Sequence, residues 1–299
     1  MTARNEDGVL VKSPYKKQEF TEQELQDFMK CADPDTGPEY FLRNFFFIQH
    51  PVQGKIQYNP WEFQERLIKT YHNYRFSISM MPRQTGKSTS AAGYLLWFAM
   101  FKPDSTILVA AHKYAGAQEI MQRVRYSYES CPDHIRAGAT SYNKGSIEFD
   151  NGSRIVAQTT TENTGRGMSI TLLYCDEFAF VRPTIAKEFW TSISPTLSTG
   201  GGAIITSTPN SDEDQFAFIW KGANKTEDEY GNTKELGVNG FKAYRAYWRE
   251  HPDRDEPWAE EQRNILGIER FRREMDCEFI INDETLIAPT KLLDMEGVE

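Results

Sequence analysis

The chain has no surplus of positive charge: 34 Lys and Arg stand against 43 Asp and Glu, a net charge of −9 over 299 residues. That balance argues against a protein that holds nucleic acid passively on a basic surface, and leaves room for local, transient contact alone. Cysteine is scarce too. Cys31, Cys131, Cys175 and Cys277 lie far apart with no CxxC pair, which suggests neither a disulfide framework nor a zinc site and fits a reducing compartment. The longest apolar run, Tyr94 to Phe101, falls far short of the roughly 20 residues a membrane span needs, and the N-terminus is polar rather than signal-like. A cytosolic chain with no membrane partner is therefore expected. No internal repeat or low-complexity tract is visible, and the apolar (39%) and aromatic (13%) fractions are ordinary for a folded protein. The length allows a large core, read as one large domain with a smaller one attached.

One further absence is more informative. Met80 to Thr89 reads as a phosphate-binding loop, GxxxxGK(S/T), in which Met81 stands where the first glycine belongs and Arg83 lies inside. In such a loop backbone N–H groups cradle phosphates, the lysine reaches the β and γ oxygens, and the hydroxyl residue holds Mg²⁺. The expected nucleotide contacts are Arg83, Gln84, Thr85, Gly86, Lys87, Ser88 and Thr89, with Ser88 on the metal. Context supports the motif, because Phe76 to Met80 reads as a short apolar strand leading in and Ser88 to Phe101 as a buried helix leading out, stopping before Pro103.

Residues 1 to 58 form an N-terminal segment expected to pack with the small subdomain; a capping-box helix starts at Thr21, and an aromatic run spans Phe41 to Ile48. From 59 to 240 helix and strand alternate: a helix over Pro60 to Tyr71, the loop and its helix, a strand over Ser105 to Ala111, a helix from Tyr114 to about Ser130, and strands at Ile170 to Cys175 and Ala203 to Ser207. That alternation predicts an α/β fold with a mainly parallel sheet flanked by helices; the phosphate-binding loop it carries makes it a candidate P-loop NTPase, of the RecA-like ASCE kind. Two turn signals, Asn143 to Gly145 and Asp150 to Gly152, place an inserted β-hairpin within 139 to 158. Residues 211 to 240, rich in polar residues and glycine, read as a surface excursion. A strand over Phe241 to Trp248 and helices to about Phe279 make 241 to 299 a C-terminal lid or linker subdomain.

Leu172 to Cys175 ends in Asp176-Glu177, an acidic pair at the carboxyl end of a sheet strand. Asp176 suits the Mg²⁺ water shell opposite Ser88, and Glu177 can polarise a water for in-line attack on a γ-phosphate. At the end of the next strand, Ser207-Thr208-Pro209-Asn210 can sense that phosphate, with Thr208 the candidate contact. Arg83 can reach the transferring phosphoryl in cis, whereas Arg166, between Gly165 and Gly167, suits a finger offered to a neighbouring subunit. Residue type leaves both open, along with a salt bridge or a generic loop arginine. Gln64, in a helix opened by Trp61, can read an adenine edge with one donor and one acceptor, or can simply face the core.

Taken together, Arg83 to Ser88, the Asn143 to Gly152 hairpin, Gly165 to Gly167, Leu173 to Phe180 and Thr206 to Asn210 resemble the ATPase portion of the large terminase subunit of tailed phages, closest to the myovirus type, over roughly residues 55 to 290. In that family a glycine-poor loop with an internal arginine is a trait. The resemblance implies an ATP-hydrolysing, Mg²⁺-dependent motor that drives double-stranded DNA into a procapsid. Its partners would be the portal protein, the small terminase subunit and further copies of itself in a ring on the portal, with a free monomer otherwise. It would work in the cytoplasm of an infected bacterium, docked on the procapsid portal during packaging. It assigns Lys87 and Ser88 to phosphate and Mg²⁺, Asp176 to the metal, Glu177 as base, Gln64 to adenine, Thr208 to the coupling motif and Arg166 to the trans finger, with Arg83 the competitor. Family members usually carry a C-terminal RNase H-type nuclease domain. Here Asp212, Glu213, Asp214, Asp276 and Asp283 lie in loop or helical contexts, so no nuclease activity is expected of this chain, read as an excised or naturally short ATPase portion. The competing readings are a helicase-like remodelling ATPase, which would need a second RecA-like domain, and a decayed nucleotide-binding scaffold, which the intact Lys87, Asp176 and Glu177 oppose.

Overall fold

The capping box at Thr21 forms as expected: its hydroxyl accepts from Glu24 N at 3.3 Å, and the Glu24 carboxylate accepts from Thr21 N at 2.7 Å. This starts α1 (Glu22–Ala32), and α2 (Gly37–Phe45) follows a turn whose N–H groups are bound by Asp33 Oδ1. β1 (Phe47–His50) and β2 (Gly54–Gln57) then make a separate antiparallel ribbon. The computed structural model describes residues 10–227 and 230–280. Parts of the expected terminal segments, 1–9 and 281–299 with Asp283, lie outside the described residues.

The central sheet is built largely by alternation of helix and strand, broken by one run of four consecutive strands. α3 (Glu62–Asn73) leads to β3 (Phe76–Met80), α4 (Lys87–Phe101), β4 (Thr106–Ala111), α5 (Tyr114–Ser130), β5 (Ala139–Tyr142), β6 (Ser146–Phe149), β7 (Arg154–Thr159), β8 (Leu172–Asp176), α6 (Pro183–Ile193), β9 (Gly202–Ser207), α7 (Gln215–Asn224) and β10 (Lys242–Arg245). The strand order is β10-β3-β9-β8-β4-β7-β6-β5. From β10 to β7 all pairings are parallel; β6 and β5 add antiparallel pairs at one edge. Both faces are covered, as a parallel sheet requires. Ile107, Val109, Leu172, Tyr174 and Ile204 pack into the layer that contains α1 to α5, while Leu108, Ala110, Leu173, Cys175 and Ile205 pack into the layer of α6 and α7. This period-two division is the physical signature of a strand buried on both sides.

Four expectations are refined. The tract from 139 to 158 is three strands, and its last arm, β7, is a parallel member of the central sheet beside β4. The polar stretch from 211 contains α7, whose Phe216, Ile219 and Trp220 are core residues; surrounding charge masks a short apolar face when composition is averaged over the segment. The N-terminal helices pack on the core rather than on the small subdomain: Trp97 of α4 donates its Nε1–H to Cys31 O at 2.8 Å, and Gly93 of α4 gives Leu42 and Phe46 their space. β10 returns to the sheet beside β3, so the C-terminal unit with its own core begins at Trp248. There α8 (Glu256–Leu266) and α9 (Ile268–Glu274) close over Trp248, Ala259, Phe271 and Met275.

Asp214 caps α7, accepting from Ala217 N at 2.7 Å, but its Oδ2 is buried without a partner. Burial pushes its carboxyl from the ordinary 3.8 up to about 6, against the opposing pull of the Ala217, Phe216 and Ser211 N–H groups. The folded protein thus holds this proton more tightly than the unfolded chain does. Ionised Asp214 opposes folding fully above about pH 6, and the penalty disappears as pH falls toward 3.8. Asp214→Asn, which keeps the capping oxygen, is expected to be more stable than the parent by roughly 1–3 kcal/mol at neutral pH, the gap closing toward pH 4, in urea unfolding measured across that range.

Candidate nucleotide site

Parallel strands end at the same edge, and three of the endings in this sheet carry the chemistry. Register places Met80 of β3 beside Ser207 of β9, and Asp176 of β8 beside Thr206. One strand, β9, therefore separates the loop-bearing strand from the acidic one. The loop from Met81 to Gly86 leaves β3 and feeds α4, whose N-terminus supplies unpaired N–H groups and the positive end of the helix dipole. Met81 is fully buried and donates its N–H to Ser207 O at 3.2 Å. Its side chain fills core, so the position normally given to glycine does not obstruct the cleft.

The loop's shape is held from behind. Pro82 O accepts from Thr85 Oγ1 at 2.7 Å, Arg83 O and Gln84 O accept from Arg254 Nη2 at 3.1 and 2.9 Å, and Thr85 O accepts from Gln64 Nε2 at 2.9 Å. In a trans peptide C=O and N–H point opposite ways. Carbonyls drawn outward at 83, 84 and 85 therefore turn the N–H groups of Gln84, Thr85 and Gly86 the other way, the arrangement of an anion-binding nest. Two residues take positive φ to achieve it, Gln84 at 56° and Gly86 at 77°.

The cleft beside the loop measures about 780 Å³ and is lined by residues 83 to 89 together with Glu177, His112 and Arg123. Lys87, almost fully buried, forms an ion pair with Glu177. Glu177 turns off the strand at φ 50°, and its second oxygen accepts from Ser207 Oγ at 3.3 Å and Thr208 N at 3.4 Å. Ser88 Oγ lies 3.3 Å from Asp176 Oδ1, which also accepts from Tyr174 OH at 2.9 Å and Thr206 Oγ1 at 3.2 Å. Burial pushes the Asp176 carboxyl above its usual range, partly offset by Lys87. A hydroxyl and one buried carboxylate are hard oxygen donors of the kind Mg²⁺ takes when substrate phosphates and waters complete its shell. No group of three or more His, Cys, Asp or Glu that would hold a metal on protein ligands alone occurs among the described residues.

Most residues singled out in the sequence converge here: Lys87, Ser88, Asp176, Glu177 and Thr208 lie within one network, and Thr89 lines the cleft. Thr208 Oγ1 is buried without a partner. Others differ from the expectation. Gln64 reaches the loop, but its amide is committed to protein: besides Thr85 O, its Oε1 accepts from Trp61 N at 3.0 Å and Tyr58 OH at 3.3 Å. It is 3% exposed and braces the loop, with no free edge for adenine in this conformation. Arg83 is engaged by Glu274 of α9 through a side-chain ion pair, and its N–H donates to Glu274 O at 3.1 Å. Arg166 is exposed on a different surface, its Nε 3.4 Å from Ser192 Oγ, and does not line the cleft of its own chain. Sequence reasoning missed Arg254, Glu274, His112 and Arg123. Arg254 and Glu274 lie so far downstream of the loop that only tertiary folding brings them to it.

Residues 78–294 match the family described as terminase large subunit, T4likevirus-type, N-terminal. The chain is 25% identical over 239 residues to the terminase large subunit of Thermus virus P23-45, covering 72% of this chain and 48% of that protein. It thus spans about half the length of the curated relative it matches. Among solved structures, it is similar to the large terminase ATPase domain of Thermus phage P74-26, with a TM-score of 0.58 and 21% identity over 75% of this chain and 95% of that one. The bacteriophage HK97 large terminase superposes with a TM-score of 0.61 at 16% identity, over 79% and 53% of the two chains. A large terminase from a thermophilic bacteriophage, solved in complex with ADP, gives 0.57 at 10% identity, over 73% and 53%. At these identities the likeness is one of fold.

A Cβ at Gly86 would sit 2.6 Å from Gln64 Nε2, whereas one at Gly54, also at positive φ, meets nothing within 4 Å. Gly86→Ala is therefore expected to lose about 1–3 kcal/mol in denaturant unfolding, more than Gly54→Ala, because it adds a clash to the backbone strain. Nucleotide affinity should fall with Gly86→Ala and stay unchanged with Gly54→Ala.

Proposed function

The chain belongs to the T4-like family of terminase large subunits, within its N-terminal region, and on that premise we propose that it is an ATP-hydrolysing motor domain that drives double-stranded DNA into a procapsid. The observation that carries this reading is the convergence of Lys87, Ser88, Asp176 and Glu177 on one cleft behind a nest of loop N–H groups.

The reaction follows from these positions. Loop N–H groups and the Lys87 ammonium bind the β- and γ-phosphates and neutralise the charge that accumulates as the terminal phosphoryl transfers. Ser88 and Asp176 would hold Mg²⁺, which when bound would neutralise negative charge on the departing diphosphate. Glu177, once its oxygen is released from Lys87, accepts a proton from the attacking water; the new P–O bond forms in line as the bond to the β-phosphate oxygen breaks, giving ADP and phosphate. Thr208 adjoins Glu177 through its N–H and supplies a buried hydroxyl that can answer to the γ-phosphate. Arg166 is exposed and outside its own cleft, a placement that suits a finger offered to a neighbouring subunit in a ring. The acidic net charge of −9 agrees with weak DNA binding by a free monomer and contact made once subunits surround a channel. The portal protein and small terminase subunit are the further partners of this reading, in the host cytoplasm and at the procapsid portal.

Steady-state hydrolysis tests it. Glu177→Gln should lower kcat by about 10²–10⁴, and Arg166→Ala should be similarly impaired while still binding nucleotide. Mixing Arg166→Ala with Lys87→Ala protein should restore part of the rate, since an intact arginine then meets an intact cleft. Wild-type protein without turnover at any concentration would remove the motor reading, and a mixture no better than its components would remove the trans assignment.

A further inference from the structure

Arg254 is 8% exposed and sits just before α8, in the unit built on Trp248 and Phe271. Its guanidinium lies over the Trp258 ring, 4.7 Å from the centroid, and its Nη2 donates to two consecutive loop carbonyls, Arg83 O at 3.1 Å and Gln84 O at 2.9 Å. A buried guanidinium usually has a carboxylate partner; this one has backbone carbonyls, and its Nη1 has no partner. The loop reciprocates, because Arg83 N donates to Glu274 O and the Arg83 side chain pairs with Glu274, itself 3% exposed. Loop and C-terminal unit are therefore clasped from both sides at Arg83, with Gln84 held by Arg254. That unit is fastened in turn to the sheet edge: Trp248 Nε1 donates to Asp276 Oδ1 at 2.9 Å, and Arg245 Nη2 of β10 donates to Asp276 O at 2.7 Å.

The consequence is directional. The two carbonyls that Arg254 draws outward belong to the peptides whose N–H groups, on Gln84 and Thr85, are turned inward as part of the cradle. Thr85 and Gln64 hold the neighbouring carbonyls from within the ATPase core, so the middle of the cradle is the portion whose orientation depends on the C-terminal unit. We propose that Arg254 is a positioning residue of the nucleotide site, which aims the Gln84 and Thr85 peptides at the bound phosphates and makes nucleotide affinity depend on docking of the C-terminal unit. The inference rests on the ATPase reading for the identity of the ligand and on the loop geometry for the role.

The test is the division between KM and kcat in the full chain, together with ADP affinity from titration with a fluorescent ADP analogue in Mg²⁺ buffer. Arg254→Ala should raise KM for ATP and Kd for the analogue by about tenfold or more, with kcat at saturating ATP falling less than about threefold. Arg254→Lys should recover part of that loss, because an ammonium can serve one of the two carbonyls, and methylguanidinium added to Arg254→Ala should restore affinity. If Arg254→Ala fails to fold by circular dichroism, Arg254→Lys alone decides: a raised KM supports the role, and an unchanged KM overturns it. Folded Arg254→Ala with KM and Kd within about twofold of the parent, or with kcat lost at unchanged KM, overturns it as well. Wild-type protein that binds no nucleotide removes the ATPase reading and this inference together; wild-type binding untouched by Arg254→Ala removes the inference alone.

Discussion

The ion pair between Lys87 and Glu177 is the interaction around which the site is organised. Lys87 is almost fully buried, and a buried ammonium left without a partner carries a large desolvation cost. Glu177 is that partner, and the fold meets several conditions to bring it there. β8 must end one strand away from the loop, Glu177 must turn into left-handed backbone at φ 50°, and Ser207 with Thr208 at the end of β9 must hold its second oxygen. On the motor reading proposed above, phosphate oxygens entering the nest would compete with Glu177 for Lys87, so that ligand binding and release of Glu177 would be one exchange of partners.

The rest of the site accepts local costs to preserve that arrangement. Gln84 and Glu177 both adopt positive φ without being glycine, and Asp176 is buried deeply enough that its carboxyl titrates above the usual range. Strain and buried charge of this sort persist where the surroundings over-determine a geometry, and here both flank the cleft. The surroundings are identifiable: Tyr174 and Thr206 under Asp176, Gln64 and Arg254 behind the loop. A cation between Ser88 and Asp176 would turn the buried carboxylate from a liability into a ligand.

Much of this was legible in the chain because parallel α/β folds write their sites at strand ends. Lys87, Asp176, Glu177 and Thr208 each follow a short apolar run, and runs of that kind are easy to see; β3, α4, β8 and β9 fall within a residue or two of their expected bounds. What was hidden depends on tertiary approach. Gln64 is chemically able to read a base, and only its distance to Thr85 O reveals that its amide is already used. Arg254 follows a Pro-Asp turn in a charged stretch and has no local pattern that marks it as buried. α7 was concealed by the polar residues around Phe216 and Trp220, and β7 by belonging at once to a hairpin and to the parallel sheet.

The central claim, that Glu177 occupies Lys87 until phosphate displaces it, is tested most directly by the affinity of Glu177→Gln for MgATP compared with the parent, measured by calorimetry under conditions where the variant does not turn over. Replacing the carboxylate with an amide removes a charged hydrogen bond worth about 1.5–3 kcal/mol from the empty site and leaves the nest intact. The account predicts tighter binding by about tenfold or more. Weaker binding, or binding unchanged, would mean that Lys87 is not held by Glu177 in the empty protein and would contradict it.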